Sequence, residues 1–217
     1  MIECMSTSID IYPTTNYIPL VEETRQRTQE LYQQLLDSHG IDSTVEVKAL
    51  HPFRDGEEIR YIDPTVRWDL HLGVTFAYWV NGTWAASSWP CMFERERVTH
   101  FEVEDYEQLG PEYGYPASML GELIPVEDEF DIQLSPEEIK LVNSQDHCWS
   151  DERNMGGHAV SSIGYGFVAA ALAEETAGRI SSVDCALPEG HSGETAEQFL
   201  TWWGDSQLSF YGTRRFQ

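Results

Sequence analysis

Trp68-Asp69-Leu70-His71-Leu72-Gly73-Val74-Thr75-Phe76-Ala77-Tyr78-Trp79-Val80-Asn81-Gly82-Thr83-Trp84 is the stretch on which the fold turns. Leu70, Leu72, Val74, Phe76, Tyr78 and Val80 alternate with smaller or polar neighbours, the period-2 pattern of a half-buried strand. Asn81-Gly82 supplies the two positive-φ residues of a type I′ turn, so the chain is expected to double back as a two-residue hairpin running to Trp89. Counting outward pairs Val80 with Thr83, Trp79 with Trp84, Tyr78 with Ala85 and Phe76 with Ser87. One face is then bulky and apolar. The other carries His71, Gly73, Thr75, Ala77 and Trp79 opposite Trp84, Ala86 and Ser88, a shallow floor of small side chains with an aromatic pair at one end.

Outward from the hairpin, Ser8–Tyr12 alternates as a first strand and Thr44–Leu50 as another. Between them Leu20, Thr24, Thr28, Leu31 and Leu35 recur at helical spacing from Pro19 to Ser38, and His39-Gly40 closes that helix. Arg97–Val103, Gly121–Val126 and Phe130–Leu134 are further strand candidates. Ser135-Pro136-Glu137-Glu138 has the cap, the proline and the returning glutamate of a helix start, and the helix ends near Ser144. Ala159–Thr176 is an almost continuously apolar helix with Gly164, Gly166, Ala169, Ala170, Ala171 and Ala173 as a thin surface, stopped by Gly178. It is expected to lie on the small-residue floor of the hairpin. Arg179–Val183 reads as a strand, Glu194–Trp203 as a helix and Ser206–Tyr211 as a last strand. The expectation is a single α+β domain over residues 1–217. Its mainly antiparallel sheet has the Asn-Gly hairpin at the centre, packed by the buried Ala/Gly-rich helix and two or three more.

Composition narrows the function. With 37 acidic and 13 basic residues the net charge is −24, while 41 % of residues are hydrophobic, enough for a sizeable core. Direct nucleic-acid binding needs the opposite sign, and an anionic membrane surface is disfavoured for the same reason. No run of 18 apolar residues is present, and Met1-Ile2-Glu3-Cys4-Met5 shows no basic segment leading into an apolar one. A cytoplasmic protein with free thiols at Cys4, Cys91, Cys148 and Cys185 is expected.

No complete catalytic motif is found. Asp69-x-His71, with His100 or His147-Cys148 imagined nearby, lacks the paired spacing of a zinc site, so no metal is expected. Cys148 beside His147 and Asp146 is a poor nucleophile, because adjacent residues seldom face each other and nearby acids raise a thiol pKa. Gly156-Gly157-His158 leads into a helix but has no Gly-Lys-Ser/Thr continuation. No cofactor is implied.

Between Glu94 and Glu138 there are 14 acids against Arg95 and Arg97, a net of −12, half the charge of the chain. Glu102, Glu104, Asp105 and Glu107 interleave there with Tyr106, Tyr113 and Tyr115. Acids speed encounter with a basic protein and tyrosines anchor it, so these residues form the candidate partner-binding surface. Solubility, adaptation to high salt and DNA mimicry are the alternatives. The rival class is an enzyme or small-ligand protein with a pocket between the 68–89 hairpin and the 156–162 loop, lined by His71, Trp79, Trp84 and His158. A structural or phage-borne protein is the third reading. The expected state is a monomer or a homodimer.

The run Ala169-Ala170-Ala171-Leu172-Ala173-Glu174-Glu175-Thr176-Ala177-Gly178-Arg179-Ile180-Ser181-Ser182-Val183-Asp184, followed by the polar helix Ala196–Trp203 with its aromatic end, resembles small bacterial immunity-type proteins of polymorphic-toxin systems. The likeness implies a stoichiometric protein binder and carries no site residues.

Overall fold

The computed structural model describes residues 6–53, 57–85, 92–97, 130–154, 158–182 and 186–216. Seven described strands form one antiparallel sheet: β1 (Ser6–Tyr12), β2 (Val45–Leu50), β3 (Gly73–Val80), β4 (Thr83–Trp84), β5 (Met92–Arg97), β6 (His147–Asn154) and β7 (Arg179–Ser181). Their order is β2-β3-β5-β6-β1-β7, with β4 pairing β3. The helices are α1 (Val21–Ser38), α2 (Pro136–Asn143), α3 (Ala159–Thr176), α4 (Ala196–Leu200) and α5 (Trp203–Tyr211), with a 3-10 turn at Thr213–Phe216. The class is therefore α+β.

Register and alternation define two faces. Val45, Val47, Val74, Phe76, Tyr78, Phe93, Trp149, Ile9, Ile11 and Ile180 fall on one side of the sheet and are buried. That side is covered by α3, which is buried along almost its whole length, and by α1, α4 and α5. The other side carries a smaller cluster of Tyr12, Phe130, Leu134, Val142 and Cys148 beneath α2.

The thin surface of α3 lies on the bulky face of β3, not on its small-residue floor. A Cβ at Gly164 would stand 2.3 Å from the Tyr78 ring, and one at Gly166 would stand 2.1 Å from Trp203. Shape complementarity reverses the expected pairing: large side chains on the sheet need glycines on the helix, whereas two thin surfaces would leave a void. Tyr32 closes the same layer, its ring centroid 5.8 Å from Tyr78 and 5.3 Å from Phe167, and its hydroxyl donates to Val160 O at 2.9 Å.

The turn after β3 has φ of 50° at Asn81 and 75° at Gly82, with Val80 opposite Thr83 and Trp79 opposite Trp84. Ala85 N donates to Tyr78 O at 2.8 Å. The returning strand is described only to Trp84, and the expected pair Phe76–Ser87 lies outside the described residues. Nearer its start, at Gly73–Thr75, β3 takes β5 as neighbour.

Four local readings are corrected. The strand looked for at Arg97–Val103 begins earlier, at Met92, and residues 98–103 are not described. Phe130–Leu134 is irregular, tied by Ile132 N to Ser192 O at 3.0 Å, while Gly121–Val126 lies outside the described residues. Ser206–Tyr211 is helical within α5, because Trp203, Gly204 and Leu208 bury one face, with Gly204 pressed on Leu35. The left-handed residue ending α3 is Ala177, φ 50°, one position before Gly178. The α2 start is as read: Ser135 N donates to Glu138 Oε2 at 2.8 Å, and Glu138 N to Ser135 Oγ at 3.3 Å.

Candidate functional site

The four residues of the expected pocket have these surroundings. His71 precedes β3 with φ 63°; its N donates to Arg95 O at 2.8 Å, and its exposed ring lies 3.4 Å from Glu94 Oε1. Trp79 and Trp84 stack near the other end of β3, centroids 5.6 Å apart and 12° from parallel, with Lys48 Nζ 4.3 Å above Trp79. Gly73 and Trp79 alone are separated by about 20 Å of extended chain. His158 is the N-cap of α3, its Nδ1 accepting from Val160 N at 3.3 Å. The structure thus brings the two tryptophans together, while His71 and His158 each take a local backbone role. Glu102, Glu104, Asp105, Tyr106, Glu107, Tyr113 and Tyr115 lie outside the described residues.

Charge is distributed unevenly between the inside of hydrogen-bonded networks and the surface. Arg25 is held by Glu22 at 2.8 Å and by Val47 O at 3.0 Å. Arg27 bonds Glu174 at 2.9 Å, Lys48 pairs with Glu46 at 3.3 Å, and Arg179 bonds Glu138. Arg67 donates to Ile18 O at 2.6 Å and Arg95 to Trp68 O at 3.1 Å. Meanwhile Asp37, Asp42, Glu57, Glu58, Glu189 and Glu197 are all exposed. These six cations are engaged by the fold, while Arg60, Arg97, Lys140 and Arg214 are exposed along with the carboxylates just named.

The most polar part of the interior lies where β5 ends and β6 begins. Arg95, His147 and Trp149 all project to the helix-covered face and are 8 %, 4 % and 0 % exposed. Trp149 is the register partner of Arg95, whose Cζ lies 5.9 Å from the indole. His147 packs edge-on against the same indole at 5.3 Å and 80°. Its Nδ1 is 3.1 Å from Asp146 Oδ1. Burial holds the His147 imidazole below its usual pKa, partly opposed by that carboxylate, and burial also lowers Arg95. Asp151 is fully buried two residues further along β6.

A second polar chain runs from Trp68, ahead of β3, through Thr24 of α1 to Glu175 of α3. Trp68 Nε1 donates to Thr24 Oγ1 at 3.2 Å, and Thr24 Oγ1 donates to Glu175 Oε2 at 2.8 Å. Burial, helped by Glu23 and Glu174, pushes the Glu175 carboxyl up to about 8, against the Thr24 bond and Arg27.

Arg95 and Trp149 are residues that sequence reading passed over, although one signal marks them. Phe93 and Arg95 are two apart on a strand, so a buried Phe93 places Arg95 on the core face. His147-Cys148-Trp149-Ser150-Asp151 has the same period with polar residues facing inward, which hides it from a search for apolar alternation.

Among the described residues no group of three or more metal-ligating side chains occurs, and no helix is long and apolar enough to cross a membrane. No family model, curated protein or solved structure matches this chain.

Proposed function

We propose that this chain is a non-enzymatic, acidic protein-binding domain whose partner is a basic protein, as for an immunity or antitoxin protein. The observation that carries the reading is the engagement of six cations within the fold: Arg25, Arg27, Lys48, Arg67, Arg95 and Arg179 are bonded to acids or backbone carbonyls. The net charge is −24, and six of the 13 basic residues are tied up by the fold rather than left free to break it. Such a field steers a cationic partner and raises its association rate, and tyrosines beside the acids supply the anchors that charge lacks. The contact is assigned to Glu102, Glu104, Asp105, Tyr106, Glu107, Tyr113 and Tyr115, where acids and tyrosines are densest in the chain.

The test separates a local surface from bulk charge. One variant neutralises Glu102, Glu104, Asp105 and Glu107 to the amides; the other neutralises Asp37, Asp42, Glu189 and Glu197. Both remove the same charge. Pull-downs from the source cell at low and high salt are expected to recover a basic protein with wild type and the second variant, but not with the first. Recovery is expected to fall steeply with salt. Equal loss in both variants, or binding indifferent to salt, would refute the reading.

A further inference from the structure

We propose that Arg25, Gln29 and Gln33 of α1 stand in for a neighbouring strand on the outer edge of β2, and that this row keeps the chain from pairing edge to edge with a second copy of itself. Strand β2 ends the sheet, with β3 on its inner side. The carboxamide of Gln33 is used from both ends: Oε1 accepts from Val45 N at 3.0 Å, and Nε2 donates to Ser43 O at 3.0 Å. Gln29 Oε1 accepts from Val47 N at 3.0 Å. Arg25 Nη1 donates to Val47 O at 3.0 Å and to Gln29 Oε1 at 3.1 Å. Val47 therefore has both its N–H and its C=O bonded on the outer side, as a residue of an antiparallel ladder does. All of these backbone groups belong to odd-numbered residues, the set that alternation turns away from β3.

Spacing makes the substitution possible. Four residues of helix advance about 6 Å and two residues of strand about 6.7 Å, so side chains at i, i+4 and i+8 keep step with alternate strand residues over this length. The row is itself held at both ends. Arg25 Nε and Nη2 donate to Glu22, each at 2.8 Å, and Gln33 Nε2 donates to Asp37 Oδ1 at 2.9 Å. Beyond Val47 the edge is closed by backbone instead: Ile62 N donates to Ala49 O at 3.1 Å, and His51 N to Arg60 O at 2.9 Å. The other terminal strand, β7, is closed in that second way, Ile180 N donating to Glu194 O at 2.9 Å and Gly193 N to Ile180 O at 2.7 Å.

An open strand edge is a template for another chain, and proteins cover or charge such edges. The length from Ser43 to Val47 is where the cover is made of side chains, and it is self-complementary. Antiparallel pairing about Val45 sets Ser43 of one copy against Val47 of the other, N–H to C=O, in a two-fold arrangement. A net charge of −24 also holds copies apart, but that repulsion is screened by salt. The hydrogen-bonded row is the part of the barrier that survives screening.

The experiment compares the full wild-type chain with the double variant Gln29→Ala, Gln33→Ala in about 500 mM sodium chloride, where repulsion between acidic copies is screened. Both positions are half-buried on a helix and alanine is a strong helix former, so the fold is expected to survive, with circular dichroism as the check. Sedimentation equilibrium is run from about 10 μM to 1 mM, the range in which exposed edges associate. The mass of the variant is expected to approach twice that of wild type at the upper end. Hydrogen exchange at the nitrogen-15-labelled amides of Val45 and Val47 locates the contact. Exchange is expected to be about tenfold faster in the dilute variant than in wild type, and to slow again as the variant is concentrated. If the double variant does not fold, Gln29→Ala and Gln33→Ala are compared singly in the same way. A variant whose mass stays that of wild type at the highest concentration would overturn the proposal. So would association that leaves the Val45 and Val47 amides exchanging fast, since the contact would then lie elsewhere. Unfolding of both single variants would overturn it too, because the row would then support the fold rather than guard its edge.

Discussion

Glu175 shows what a single side chain can do to the pH response of this domain. Its folded carboxyl titrates near 8 because burial on α3 disfavours the charge, and Thr24 only partly offsets this. The sign is opposite to that of a salt-bridged acid. Below the unfolded value of 4.5 both states hold the proton and the fold bears no penalty. Between 4.5 and about 8 the unfolded chain releases the proton while the folded chain keeps it, so stability falls as pH rises. The full window is on the order of 3–5 kcal/mol, an upper bound for a group that is not wholly buried. Glu175→Gln preserves the shape and the acceptor for Thr24 Oγ1 but cannot ionise. Urea unfolding at pH 5 and pH 8 is expected to show the variant gaining about 1–3 kcal/mol on wild type at the higher pH, with little difference at the lower. Parallel pH slopes for the two proteins would show that Glu175 ionises freely. Nothing in Ala173-Glu174-Glu175-Thr176 announces this. Glu174 and Glu175 are adjacent on a helix that must turn one side inward, and only packing against Thr24 decides which acid is buried.

The elements divide into those whose own residues specify them and those that depend on neighbours. Helix α2 belongs to the first kind, since Ser135, Pro136 and Glu138 satisfy its start within four residues. The turn at Asn81-Gly82 does too, because few residue pairs tolerate positive φ twice in succession. Strand β6 belongs to the second. It is central, between β5 and β1, yet His147 and Asp151 face inward with Trp149 and break the apolar alternation that identifies a strand. Ser206–Tyr211 of helix α5 reads as a strand because it is short, with apolar residues that fit either period; the packing of Gly204 on Leu35 settles it as helix. For α3 its apolar length was legible but its docking face was not, because complementarity of thin to bulky surfaces is a property of two elements together. That docking is testable at Gly164. Alanine favours a helix interior by about 1 kcal/mol, but a Cβ here stands 2.3 Å from the Tyr78 ring. Gly164→Ala is therefore expected to destabilise by about 1–3 kcal/mol, the usual result of overpacking, in a denaturant titration monitored by circular dichroism. A neutral or stabilising result would mean that α3 can lift from β3 without loss.

At the scale of the whole molecule, the decisive quantity is the balance between a dense interior and a surface that repels itself. The core joins Trp68, Trp149, Trp203, Tyr32, Tyr78 and Phe93, all almost fully buried, and it works against a net charge of −24 on 24.8 kDa. That charge was legible from composition. The engagement of the cations was not, because Arg25 on Val47 O and Arg67 on Ile18 O are contacts between distant segments. Two effects of added salt then compete. Screening weakens bridges such as Arg27–Glu174, each worth a fraction of a kcal/mol at a partly exposed site. It also weakens repulsion among all the exposed carboxylates, whose range contracts as the screening length falls from about 10 Å at 0.1 M to 3 Å at 1 M. With this excess of acids the second effect is the larger. The melting temperature is expected to rise by several degrees between 20 mM and 500 mM sodium chloride, about 2–4 °C for each kcal/mol recovered in a domain of this size. Sucrose at constant ionic strength is the control, since it strengthens burial without screening charge. A flat or falling melting temperature in sodium chloride would mean that the carboxylates are spaced to avoid one another. The outward field on which the proposed capture of a basic partner depends would then be too weak to steer it.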